Sequence, residues 1–378
     1  MQSATMTSIW EEIGVKPVIN ARGHNTVLGG STPTPRIKEA MEAAERYYVD
    51  MNALLERSGE ICAELIGAEA AYVTPGAAAA MALGAAAIVA GTDMEKIARL
   101  PDTAGLPNKV LIQAGHHYSY ERAPTIVGTK LVEVGANGQT TAQQLDAAIG
   151  ADTATILFPA HLDGKEGTVP LKQVLEIAHA KGVPVLVDAA GQIYPLERFK
   201  SWTAMGCDLV CFGAKYFNGP NSAGLLVGRR DLVKAASVQG FIGFETVANR
   251  KAFGRPLKLD RQEIVAVVVA LQEWFAMDHR RRVARLEQRC EAIKRPIANA
   301  PGCSFSIVEI HASAPKVLRI EIDPSKAKRS ADEVDAALRE GSPQILVNRE
   351  PNALLVNPNT VWEGDEEIIA QRLRALLA

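Results

Sequence analysis

Cysteine is scarce in this chain, neither charge is in excess, and no apolar run is long. Each absence excludes a class of protein. The five cysteines, Cys62, Cys207, Cys211, Cys290 and Cys303, are too few and too scattered for a disulfide framework or a zinc ribbon. Cys207 and Cys211 fall on an expected strand, where their spacing serves no standard metal geometry. They read as small buried apolar residues, and no metal site is expected. Lys plus Arg number 41 against 43 Asp plus Glu, a net charge of −2. A protein that grips a phosphate backbone carries a clear basic excess, so no nucleic-acid partner is expected, nor a polybasic membrane role. The longest apolar stretch, 76–91, is mostly alanine and falls short of the about 18 residues that span a bilayer. The first residues, MQSATMTSIWEE, lack a basic flank followed by an apolar core and do not read as a signal peptide. A reduced, cytoplasmic location is the expectation, with no membrane partner.

What remains is an ordinary globular composition, 47% hydrophobic and 22% charged over 378 residues, enough for two domains. From about residue 68 short apolar runs alternate with helical patterns. Strands are expected at 70–73, 109–113, 130–134, 155–159, 183–188, 208–212 and 224–228. Helices are expected at 77–90, at 141–149, and where Leu171, Val174, Leu175 and Ala178 mark one face at the 3.6-residue period. This alternation predicts an α/β fold with a mostly parallel central sheet covered on both faces. Ligands in such sheets bind at the carboxyl ends of the strands.

The pattern changes near 260. Ile264, Val267, Val268, Leu271, Trp274 and Phe275 form the stripe of one long helix, expected to run on through the basic segment 279–282 as a solvated face. Strands follow at 304–310 and 317–322. Ser330 and Glu333 form a capping box opening a helix up to Leu338. Further strands at 345–348 and 354–356 and a helix at 366–377 complete a small α+β domain. Three parts are expected: an N-terminal arm, 1–30; a large domain, 31–258; and a small domain, 259–378, joined by residues of the arm, with a hinge at 254–256. No internal repeat is visible.

Four features in chain order could carry chemistry. Gly76, Ala77 and Ala78 open a helix directly after a strand, where small residues let a phosphate approach backbone N–H groups at the positive helix end; alone, a plain strand-to-helix turn explains them as well. Gly115-His116-His117-Tyr118 follows the next strand. An imidazole there could stack on a flat heteroaromatic ring, or be one of a pair of surface histidines. Asp188 closes a strongly apolar strand, where an acid is costly to bury without a cation, a metal or a protonated heterocycle beside it. A structural ion pair is the competing explanation. Lys215 follows another apolar strand, between small residues and a Gly-Pro turn. Held dry, such a lysine has a lowered pKa and can form a Schiff base; snorkelling at the surface is the alternative. Together, an acid and a lysine closing successive strands match the needs of pyridoxal 5'-phosphate, whose protonated ring nitrogen makes it an electron sink.

The motifs INARGHNTVLGGS (19–31), ERSGEICAELIGAEAAYVTPGAAAA (56–80), QAGHHYSYERA (113–123), GVPVLVDAAGQ (182–192) and FGAKYFNGPNSAGLLVGRRDLV (212–233) resemble those of the fold-type I pyridoxal-phosphate enzymes (aspartate aminotransferase-like). Within them they resemble the selenocysteine-synthase-like group that includes D-glucosaminate-6-phosphate ammonia-lyase. The resemblance implies Lys215 as the Schiff-base lysine, Asp188 as the partner of the ring nitrogen, His116 as the stacking residue, and Gly76, Ala77 and Ala78 as phosphate-loop positions. It places Asp163 near the cofactor's 3-hydroxyl, and Arg255 and Lys258 on a loop that approaches a partner subunit's site. Arg22 and Arg349 become candidates for a substrate carboxylate. It also implies a homodimer or a higher homo-oligomer. Two positions depart from the group's pattern. Phe212 replaces a hydroxyl residue three before the lysine, and Asn218 replaces the arginine before Gly219-Pro220; both bear on phosphate contacts. The group's tRNA-acting members carry an extra N-terminal region and a more basic surface, so a small amino-acid substrate is expected.

The activity expected is a lyase on a hydroxylated or sugar-derived amino acid, by Cα-proton abstraction and β-elimination, giving a 2-keto acid and ammonia. Aldol cleavage, racemisation or transamination on the same site is the alternative. A non-catalytic metabolite-binding protein is disfavoured by the intact Lys215 and Asp188 pair. A nicotinamide dehydrogenase is disfavoured by the lack of a G-x-G-x-x-G turn.

Overall fold

Strands that are apolar at every position can only be satisfied in a sheet covered on both sides, and that is where this chain puts them. The computed structural model describes residues 9–246 and 251–377. By contact it divides into a larger unit, Ser31–Ala276, and a smaller one that joins residues up to Gly30 to those from Met277 onward.

The larger unit holds a sheet of seven strands among the described residues: β1 (Ala70–Thr74), β2 (Lys109–Gln113), β3 (Lys130–Val134), β4 (Thr153–Pro159), β5 (Val185–Asp188), β6 (Leu209–Gly213) and β7 (Gly224–Gly228). Their order is β1-β7-β6-β5-β4-β2-β3. β7 runs antiparallel to both neighbours, and the other pairs are parallel. β4, β5, β6 and β7 are buried at every residue. This is the mostly parallel α/β sheet that the alternation predicts.

Helices α1 (Pro35–Glu45), α2 (Met51–Ile66) and α3 (Gly76–Ala90) precede or follow β1. α3 is almost wholly apolar and buried, as a helix lying across the middle of a sheet must be. Its Gly84 marks the close approach: a Cβ there would meet the Leu186, Leu209 and Leu226 methyls at 3.1–3.6 Å. α4 (Leu171–Ala180) buries Leu171, Val174, Leu175 and Ala178, the face predicted from their spacing.

The region after 260 differs from expectation. The long helix is two helices, α5 (Arg261–Ala276) and α6 (His279–Lys294). Asp278 separates them, its carboxylate accepting from the Arg281 N–H at 3.0 Å. A short acid that satisfies an orphan N–H starts a new helix in preference to continuing the old one. Helix α5 packs on α1 and α2 and belongs to the larger unit, so the boundary expected at 258, and the hinge at 254–256, both lie inside that unit.

The smaller unit is a five-stranded sheet. Val18–Ala21, in the arm, pairs parallel with Gln344–Glu350. Ala353–Val356, Val317–Ile322 and Cys303–Val308 complete the sheet in antiparallel pairs. The helix Ala331–Glu340 opens on the predicted capping box of Ser330 and Glu333. Val334 and Leu338 from this helix join Ile369 and Leu373 of Asp365–Leu377 in the unit's core.

Parallel strands bring their carboxyl ends to one edge. In the larger unit this gathers the residues after Thr74, Gln113, Pro159, Asp188 and Gly213. The contact between α2 and β1 holds the first of these turns. Gly59 in α2 faces the Ala71 carbonyl oxygen so closely that a Cβ would lie inside contact distance. Gly59→Ala gains about 0.5–1 kcal/mol of helix propensity, but overpacking of this kind costs about 1–3 kcal/mol. The expected result is a net loss of stability and a lowered melting temperature; a raised one would show that the approach is not limiting.

Candidate active site

An acid at the end of an apolar strand has to find donors, and Asp188 finds two. It is 5% exposed. One carboxylate oxygen, Oδ1, accepts from the Ala190 N–H at 3.1 Å, and Oδ2 accepts from the Tyr118 hydroxyl at 2.7 Å. Burial pushes its pKa up, and these two hydrogen bonds oppose the rise.

Lys215 sits two residues past the end of β6, in the turn Ala214–Phe217. β6 pairs directly with β5, Asp188 opposite Cys211, so acid and amine leave adjacent strands at the same edge. Lys215 is half-buried, and loss of solvent lowers its pKa. Its Nζ lies 5.1 Å from the centre of the Tyr216 ring. Small residues make room for this turn: a Cβ at Gly213 would press on the Tyr216 ring at 3.2 Å, and one at Gly219 on the Ala214 Cβ at 2.9 Å.

Gly76 opens α3 with a left-handed φ of 82°, and Pro75 before it supplies no side-chain cap. Among the described residues no side chain is seen to accept from the first-turn N–H groups of this 15-residue helix, at its positive end. Ala77 is half-buried and Ala78 exposed, so nothing bulky screens them.

The GHHY motif is used differently from the expectation. His116 is fully buried, edge-on to Phe158 at 4.9 Å, with Nδ1 3.4 Å from the Gln113 amide. Gln113 in turn brackets Val169, donating to its carbonyl at 2.9 Å and accepting from its N–H at 2.7 Å. Burial, with the Lys165 charge adding to it, drives the His116 pKa down to about 4, so the ring is neutral. A ring covered on all sides has no open face to stack on a ligand, and the stacking role expected of His116 does not fit this arrangement. Tyr118 is the ring of the motif that reaches Asp188. Its hydroxyl also lies 3.5 Å from the Met81 sulfur, but one proton makes one strong bond, and a carboxylate oxygen outcompetes a thioether.

Asp163 is also placed differently. Its Oδ1 accepts from the Leu171 N–H at 3.1 Å and caps α4, whose own cap position is a proline. The residue of that loop beside the acid is His161, with its ring 5.4 Å from that of Tyr118. Burial lowers its pKa while the Asp188 charge works against the drop. Arg255 pairs with Glu245 at 3.3 Å and lies over the Phe244 ring, and Lys258 is exposed. No described contact brings either to Asp188 or Lys215 within this chain. Arg22 and Arg349 belong to the smaller unit. The Arg22 Nε donates to Asn348 at 3.1 Å, and Arg349 pairs with Asp332.

The two departures from the group's motif have structural explanations. Phe212 is fully buried and meets Phe199 edge-on at 4.6 Å, so position 212 belongs to an aromatic core and not to a ligand contact. Asn218 holds a left-handed φ of 65°, a conformation Asn tolerates better than most residues. Tyr118, His161, Met81 and Tyr216 are the site neighbours that sequence reasoning did not single out.

Among the described residues no group of three or more His, Cys, Asp or Glu could hold a metal ion, and no helix is long and apolar enough to cross a membrane. The whole chain is 32% identical to 5'-C-glycyluridine monooxygenase-decarboxylase of Streptomyces sp, covering 94% of it. It is 30% identical to D-glucosaminate-6-phosphate ammonia lyase of Salmonella typhimurium, with 98% of both chains covered. A solved structure of D-glucosaminate-6-phosphate ammonia-lyase superposes with a TM-score of 0.84 at 29% identity over 98% of each chain. The fold alone is shared with serine palmitoyltransferase from S. paucimobilis, solved with a pyridoxal-phosphate–myriocin adduct, at a TM-score of 0.57 and 15% identity, covering 96% of this chain and 88% of that one. The fold is thus that of the fold-type I pyridoxal-phosphate enzymes. The family model described as SelA, L-seryl-tRNA selenium transferase, matches residues 18–283, and the chain belongs to that family.

Proposed function

We propose that this protein is a pyridoxal-phosphate-dependent ammonia-lyase acting on a hydroxylated or sugar-derived amino acid. The observation that carries the reading is the pairing of a buried carboxylate, Asp188, with a desolvated amine, Lys215, at the same edge of adjacent parallel strands. The relative named for ammonia-lyase activity, similar over 98% of both chains, supports the reaction class.

The residues present fit the cofactor. Asp188 is too deeply buried to remain charged without a cationic partner beyond its two neutral donors. A protonated ring nitrogen is such a partner. Lys215 supplies an amine that burial makes easier to deprotonate. The uncapped first turn of α3 at Gly76, Ala77 and Ala78 supplies N–H donors for a phosphate. When bound, pyridoxal phosphate provides an electron sink for the pair left at the substrate's Cα.

The chain's own residues do the rest. Asp188 keeps the proton on the ring nitrogen. Lys215 Nζ takes the Cα proton, and its lowered pKa places a larger fraction in the free-amine form near neutral pH. Loss of a β-hydroxyl then leaves a product that takes up water and gives a 2-keto acid and ammonia. The Tyr118 hydroxyl holds the acid, and the Tyr216 ring flanks the amine. The reading includes a homodimer or higher homo-oligomer, in which Arg255 and Lys258 serve a neighbouring copy's site and Arg22 and Arg349 meet the substrate carboxylate. A cytoplasmic location accords with the five unpaired cysteines.

A second reading has one observation in its favour. The 32% identical relative is named for monooxygenation and decarboxylation, so breaking of the Cα–carboxylate bond with uptake of oxygen is the competing reaction on this scaffold.

Two outcomes are expected. Purified enzyme mixed with a panel of hydroxylated and sugar-derived amino acids, with and without phosphate groups, will release ammonia and keto acid in equal amounts. Carbon dioxide release with oxygen consumption and no keto acid would favour the second reading. Lys215→Ala will lose the visible absorbance of the lysine-bound cofactor and slow turnover by at least about 10²–10⁴-fold, the scale of a lost general base. A variant that keeps both would remove Lys215 from the site.

A further inference from the structure

We propose that Tyr118 is a positioning residue for Asp188: its hydroxyl fixes one carboxylate oxygen, and through it the site's grip on the cofactor's ring nitrogen. This rests on the pyridoxal-phosphate reading above and adds a residue to it.

The argument starts from the count of donors. A carboxylate has two oxygens and about four acceptor positions. Asp188 is 5% exposed, so water contributes little. The Ala190 N–H serves Oδ1 at 3.1 Å, and the Tyr118 hydroxyl serves Oδ2 at 2.7 Å. The shorter of these bonds is thus made by a side chain 70 positions away in sequence, and mutation can remove it without touching the backbone. Hydrogen bonds to the ionised form of an acid hold it ionised, and a neutral carboxyl gives up its hold on a cationic heterocycle.

Tyr118 is itself held in place. Its N–H donates to Glu121 Oε2 at 3.1 Å. The same oxygen lies 2.7 Å from His117 Nδ1, and His117 Nε2 lies 2.7 Å from Glu133 Oε2 on β3. Each ring nitrogen faces a carboxylate oxygen at that distance, and the ring donates to both when it is protonated. Burial alone would lower the His117 pKa, but the bonds to Glu121 and Glu133 outweigh it and the net shift is upward. The His117 ring, set between Glu121 and Glu133, ties the turn carrying Tyr118 to the sheet, and the Met81 sulfur flanks the hydroxyl at 3.5 Å. The hydroxyl therefore arrives at Asp188 from a braced loop.

The test uses the holoenzyme and a double-mutant cycle. Cofactor is removed from wild type, Tyr118→Phe, Asp188→Asn and the double variant, and each is titrated with pyridoxal phosphate, read by absorbance and by quenching of protein fluorescence. Tyr118→Phe keeps the ring and removes only the hydroxyl, and is expected to weaken binding about tenfold or more, the scale of a hydrogen bond to a charged group. In the Asp188→Asn background the same change should do little, because the bond partner is already neutral; the coupling isolates the pair. Circular dichroism and thermal melting of the unloaded variants report whether each has folded. If Tyr118→Phe binds as tightly as wild type, the proposal is overturned. It is equally overturned if the hydroxyl's loss costs as much in the Asp188→Asn background as it does beside the native acid. If wild type itself takes up no pyridoxal phosphate, the underlying cofactor reading fails instead.

Discussion

The structure of the site depends on one buried carboxylate. Asp188 closes β5 with 5% exposure, and an ionised acid so placed is far costlier than an apolar residue unless charge and hydrogen bonds compensate. That cost explains what gathers around it. A backbone N–H two residues on and a tyrosine hydroxyl from a distant loop each serve one oxygen. The His161 ring stands beside that tyrosine, and the amine of Lys215 leaves the neighbouring strand at the same edge. The remaining demand, for positive charge, is what a bound pyridinium would meet. In the proposed reading, acid and cofactor would therefore stabilise each other.

The fold supplies the precision this requires. Rigid positions come from strands buried on both faces and locked to a helix that tolerates almost no added volume, as the contacts of Gly84 with three leucines show. Variable positions come from the turns at the carboxyl edge. Among them, residues 113–121 do two jobs with alternate side chains. Gln113 and His116 face inward, with Gln113 bracing the Val169 segment, while His117 and Tyr118 face carboxylates. A short motif with two adjacent histidines is thus divided between core and site.

The parts of the fold that could be read from residues were those with an apolar run, a periodic apolar face or a capping signal, including the partly exposed β3 and the helix opening on Ser330 and Glu333. β6 and β7 are apolar or glycine throughout, β4 and β5 carry apolar runs at 156–159 and 185–187, and α4 shows a clean 3.6-residue face. Helix α1 gave no such signal because it buries Ile37 alone. Helix α2 hides it, since its inward face includes Ser58 and Gly59, chosen for closeness to β1 and not for hydrophobicity. The break between α5 and α6 turns on the single side chain of Asp278, which periodicity does not weigh. In the candidate site, Asp188 and Lys215 stand out in the sequence because each is chemically out of place at the end of an apolar strand. Tyr118 and His161 do not, because a tyrosine or a histidine in a loop is unremarkable until tertiary structure sets it against the acid. Asp163 and His116 are polar and near the same strand ends, but in the folded chain local hydrogen bonds to Leu171 and Gln113 engage them.

The same distinction governs what can be said about phosphate. Phe212 and Asn218, read as sequence letters, suggest that contacts to phosphate have been lost. In the folded chain position 212 faces the ring of Phe199, and a hydroxyl there would be buried among aromatics with an unmet hydrogen bond. Position 218 answers to a left-handed turn that ends the lysine-bearing segment, a backbone demand that Asn meets at low cost. Neither residue then carries information about whether the substrate is phosphorylated. The donors that do remain for a phosphate are the backbone N–H groups opening α3, whose approach is fixed by Gly76 and by the close passage of Gly224 beside it. Backbone donors survive side-chain substitution, so under the proposed reading an anchor of this kind would persist while residues nearer the substrate change.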